Sequence, residues 1–125
     1  MYHGIIVDKS FSDSSFPKTF KLFSRKQDGG WGIYGIEIDD TELDTTITKI
    51  QTAMKGDQPW YAHLYNDDDL IAIFKDAVFK VKPAISTWGP IVAYGEKLNI
   101  PSEQLDFWPN RFQDEIHYFA KEDFK

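Results

Sequence analysis

The chain has 125 residues, with 14 basic against 20 acidic side chains and a formal net charge of -6, which opposes attraction to phosphate backbones and anionic membranes. It contains no cysteine, so disulfides, thiolate chemistry and cysteine-ligated metals are excluded, and a reducing, cytoplasmic setting is expected. With 42% apolar and 16% aromatic residues, a chain of this size is expected to fold as a single domain, 1–125, around one core.

Tyr2 to Val7 reads as a first strand. Asp8 to Pro17, rich in Ser and Asp, reads as a surface loop whose Phe11 and Phe16 fold back onto the body. Thr19 to Lys26 and Trp31 to Ile38 are two further strands. They are joined by Gln27-Asp28-Gly29-Gly30, where Asp-Gly tolerates the positive φ of a tight hairpin turn. Gly32 and Gly35 inside the second of these strands point to a bulge or a close backbone approach.

Asp39 to Glu42 offers an N-cap acid and an acid three residues later, and Leu43, Ile47, Ile50 and Met54 follow with helical spacing up to Gly56. The cluster Asp39, Asp40, Glu42 and Asp44 is explained by that helix start. Pro59 to Val81 then predicts a three-stranded meander: Trp60 to Tyr65, Leu70 to Phe74 and Ala77 to Val81. Leu70 to Phe74 is apolar on both faces, which places it inside the sheet. A second helix is capped by Ser86 or Thr87 and runs to about Leu98, with Pro90 in its first turn. Ser102 to Leu105 is a capped single turn, and the aromatic tail from Asp106 packs back on the body as a helix or a strand.

The expected architecture is α+β: a two-layer sandwich whose mostly antiparallel sheet, two three-stranded meanders, carries two main helices on one face. Side chains alternate along a strand, so Tyr61, His63 and Tyr65 share the face opposite Trp60, Ala62 and Leu64.

That Tyr-His-Tyr face is the candidate ligand site, joined by Tyr34 and Arg25 from the first hairpin, because an imidazole there titrates near neutral pH. A cross-strand aromatic cluster around a hydrogen-bonded histidine is the plainer reading. The tail offers a candidate protein-interaction patch in Phe107, Trp108, Arg111 and Phe112, since Trp and Arg are enriched in interface hot spots; the same residues serve equally as a lid on the core. No nucleotide, metal or nucleophile motif occurs, and no cofactor and no metal is expected.

Two functions follow. The first is a small acidic protein-interaction module of accessory, regulatory or immunity type, without catalytic activity, whose partner is another protein or a second copy of itself rather than nucleic acid or membrane. The alternative is a small-molecule-binding domain or modest enzyme using Tyr61, His63 and Tyr65.

Overall fold

The computed structural model describes residues 1–125 and is built on one antiparallel sheet of six strands. These are β1 (Tyr2–Val7), β2 (Lys21–Asp28), β3 (Trp31–Ile38), β4 (Tyr61–Tyr65), β5 (Leu70–Phe74) and β6 (Ala77–Val81). Their spatial order is β2-β3-β1-β4-β5-β6, so β1 lies in the interior between β3 and β4. The α+β class and the β4-β5-β6 meander stand as the sequence predicts.

The first three strands are not a meander. A tight turn would make β1 and β2 neighbours, whereas the long link after Val7 lets β2 pass beyond β3 and pair only with it. That link is anchored: Phe11 is fully buried, Phe16 half-buried, and their rings lie 4.6 Å apart.

The two helices, α1 (Leu43–Ala53) and α2 (Gly89–Lys97), cover opposite faces of the sheet rather than one. Tyr2, Ile6, Leu64, Ile71 and Ile73 point toward Ile50 of α1, while Ile5, Tyr65, Leu70, Ala72 and Phe74 point toward Ile91 of α2. Strand alternation makes this necessary, because β5 is apolar on both sides and both sides must be kept from water.

The expected capping box does not form. Asp39 makes no side-chain cap, and Glu42 bonds its backbone N–H to the Asp39 carbonyl in a 3-10 turn ahead of α1. The helix also stops short of Gly56, since Met54 turns extended to bridge Phe11 and the Lys55 N–H bonds the Ser10 carbonyl. The bulge foreseen at the glycines lies in β2: Leu22 pairs with Ile36 and Ser24 with Gly35, leaving Phe23 as the extra residue.

The tail forms neither an α-helix nor a strand, only short 3-10 helices. Phe112–His117 and Lys121–Asp123 are 3-10 turns in an otherwise irregular segment that buries Leu105, Phe107 and Phe119 against the α2 side of the sheet. It ends on the outer edge of β2, where Phe124 bridges Ser24 and the Lys125 N–H bonds the Phe23 carbonyl.

Candidate functional site

Register decides which candidate residues meet. His63 stands opposite Ile5, and Ile5 opposite Gly35, so these three lie in one cross-strand row on the α2 face. Tyr34 is next to Gly35 and therefore points the other way, into the α1 core, where the Arg25 guanidinium lies over its ring at 5.0 Å. The sequence grouping of Tyr34 and Arg25 with Tyr61, His63 and Tyr65 is thus split by the sheet.

The Tyr-His-Tyr face is roofed by the chain from Asn99 to Phe119. Phe107 is fully buried, with its ring against those of Trp88, Tyr61 and His63, and takes a positive φ of 47°. A bulky side chain adopts that conformation only where packing imposes it. Here the turn drops Phe107 into the core and leaves the next residue, Trp108, 38% exposed. His63 donates its Nε2 hydrogen to the Pro109 carbonyl at 2.7 Å, and the Tyr61 hydroxyl donates to the Gln104 carbonyl. Burial holds His63 uncharged, with its pKa pushed down to about 4, and raises Tyr61 well above the ordinary phenol range.

Between roof and sheet the contact is incomplete. A cavity of about 620 Å³ has Ile5, Val7, Ile33, Tyr61 and His63 along the sheet, and Ile100, Gln104, Asp106, Trp108 and Tyr118 along the roof. Trp31 and Trp60 close a further side, their rings edge to face at 5.6 Å. Three of the chain's four tryptophans therefore meet this one cavity, and Trp31 remains 45% exposed.

Its only formally charged residues are Asp28, Glu103 and Asp106, all exposed. None has an ion-pair partner within the chain. The field of these acids is felt nearby: burial first, then Asp28 and Asp106, push the Tyr118 hydroxyl up to about 12. A shallower hollow of about 640 Å³ along α1, lined by Asp44, Thr45, Thr48, Lys49 and Thr52, has no tryptophan or tyrosine on its wall.

A second polar group fills the neighbouring row, where Tyr65 is opposite His3, His3 opposite Glu37, and Glu37 opposite Lys21. Glu115 enters from the roof, 8% exposed, and one of its oxygens accepts from both His3 Nδ1 and the Tyr65 hydroxyl at 2.5 Å. His3 is sandwiched by aromatic rings, stacked on Phe23 at 4.0 Å and edge-on to Phe112 at 4.8 Å. Lys21 completes the row by pairing with Glu37 at 3.0 Å.

The predicted interaction patch divides in the same way. Phe107 and Phe112 face inward, Arg111 is half-buried, and Trp108 alone stands at the lip of the cavity. Most of that patch therefore acts as the lid. Sequence reasoning passed over Trp31, Asp28, Asp106 and Tyr118 as site residues, as well as the Glu115 cluster. A tryptophan directly after an Asp-Gly-Gly turn was the one visible signal, since a large indole beside a solvated turn has little local core to bury it. Comparison with protein-family models, with curated proteins and with solved structures finds no match to this chain.

Proposed function

We propose that this chain is a small cytoplasmic recognition module without catalytic activity, and that its recognition element is the groove between the α2 face of the sheet and the C-terminal roof. The observation that carries this reading is that Trp31 and Trp108 stay 45% and 38% exposed at one cavity of about 620 Å³. Indoles gathered at a concave surface are the usual anchors of a bound group, and the volume is that of ordinary ligand sites.

The absence of catalysis is supported by the state of His63. It is buried and uncharged, its Nε2 is committed to Pro109, and no carboxylate or hydroxyl is hydrogen-bonded to it. Glu115, His3 and Tyr65 are likewise mutually satisfied and hold the roof rather than face the cavity.

The test is a library of metabolites and short peptides followed through the four tryptophan indole signals in proton–nitrogen correlation spectra. Hits are expected to move Trp31 and Trp108 and to be lost in Trp108→Ala. Hits that map to other surfaces and survive that change would remove the groove from consideration.

A further inference from the structure

Resting on the groove reading, we propose that the group bound there is a substituted ammonium, an organic cation whose alkylated nitrogen packs against the indoles of Trp31 and Trp108 within reach of Asp28 and Asp106. The sign of the charge follows from the lining. Asp28, Glu103 and Asp106 are its only formally charged residues, no lysine or arginine faces it, and none of the three acids has an ion-pair partner in the chain. An anionic ligand would meet carboxylates that have no ion-pair partner, whereas a cation is attracted to them.

The nature of the cation follows from the walls. Aromatic faces carry negative potential and attract cations, tryptophan most strongly, and they favour a charge that sheds water easily. The carboxylates are exposed, while the sheet side of the cavity offers the buried Ile5 and Ile33 beside Tyr61 and His63, whose hydroxyl and Nε2 are already bonded to the roof. A ligand that reaches the interior must therefore present apolar surface there, which an alkylated nitrogen does and a bare, strongly hydrated ammonium does not. A metal ion is poorly served, because no group of three His, Asp or Glu side chains is placed to hold one. The same chemistry already operates at the lining residue Tyr118, where the ammonium of Lys26, itself outside the lining, lies 3.6 Å from the ring centre and also donates to the Tyr118 carbonyl.

Choline serves as the first probe, beside its neutral tert-butyl isostere, in which carbon replaces the charged nitrogen, and a short peptide carrying trimethyl-lysine. Choline is expected to shift the indole signals of Trp31 and Trp108. It should leave Trp88 unmoved, because that indole is buried and donates to the Lys82 carbonyl. The neutral isostere should bind at least about tenfold more weakly, and the difference should shrink as salt is raised.

Trp31→Ala should weaken choline by roughly three- to thirtyfold, and Asp106→Asn by a few-fold. Both residues are exposed, so the fold is retained, and thermal unfolding of each variant verifies it. Tighter binding of the peptide identifies a modified side chain of a partner protein as the source, and tighter binding of choline a free metabolite; either supports the assignment. Equal binding of choline and its isostere overturns the cation while the groove stands. Trp31 and Trp108 signals unmoved by every probe overturn the cation as well, and the library screen then decides the groove separately.

Discussion

The Nε2 of His63, in the middle of β4, and the carbonyl of Pro109, in the roof, are joined at 2.7 Å across what would otherwise be the open face of the sheet. The histidine nominated by the sequence as a reactive group is thereby the fastening of the segment that covers it. Its hydrogen bond also fixes the tautomer, since a carbonyl can only accept.

Acid should loosen this fastening in a defined window. Burial lowers the folded pKa of His63 to about 4 from the ordinary 6.5, so the unfolded chain takes up the proton first as pH falls. Its contribution is full above 6.5 and is lost progressively as pH drops toward 4, on the order of 3 kcal/mol in total. His63→Asn keeps an N–H donor but does not titrate. Urea unfolding at several pH values should show a flatter profile for the variant across this window. Parallel profiles for the two proteins would mean that folding leaves the His63 pKa unshifted.

The Glu115 carboxylate should behave as a shared acceptor rather than as a surface charge. Glu115→Ala strands both the Tyr65 hydroxyl and His3 Nδ1 and is expected to cost roughly 3 kcal/mol. Tyr65→Phe removes one donor and should cost about 1.5 kcal/mol. A double-mutant cycle between these positions, read by urea unfolding, should be clearly non-additive.

Gly35 should tolerate no side chain. An added Cβ would lie 2.1 Å from Ser24 Oγ and 2.6 Å from the Phe23 ring, where the bulge presses β2 onto β3. Gly35→Ala is expected to lose about 1–3 kcal/mol by overpacking, whereas Gly30→Ala, with open space around it, should change little. Thermal unfolding of the two variants side by side distinguishes a local packing limit from a general intolerance of alanine.

Removal of Phe124 and Lys125 should expose the outer edge of β2, which those residues now partly occupy. A freed edge is a template for strand pairing, so the truncated chain should self-associate with rising concentration in sedimentation equilibrium. The expected homodimer has β6 as the strand available for sheet continuation in the intact chain, though Lys80 and Lys82 flank that edge and pair with Asp69. Val78→Pro removes a backbone donor from β6 and should leave a single 14.5 kDa species.

Local patterns were the legible part. Asp28-Gly29 marked the β2-β3 hairpin, the doubly apolar run Leu70–Phe74 marked an interior strand, and the spacing from Leu43 to Ile50 marked α1. The neighbours of β1 were not legible, because nothing near Tyr2–Val7 encodes pairing with His63–Tyr65 across the intervening loops and helix. The same holds for the site. His3 and Glu115 stand 112 positions apart and meet only once sheet register and roof are both in place. The sides taken by the helices were inferable in hindsight from β5, whose two apolar faces each need cover.

The interior position of β1 has a consequence for the order of events during synthesis. Tyr2–Val7 leave the ribosome ahead of the other strands and have no strand to pair with until β3 and then β4 have followed, and the apolar face beneath Phe107 and Phe119 waits longer still. A nascent chain of this design carries unsatisfied, aggregation-prone segments through most of its elongation. Holdase chaperones should engage it at Ile5 and Ile6 and release it only after the roof has been made.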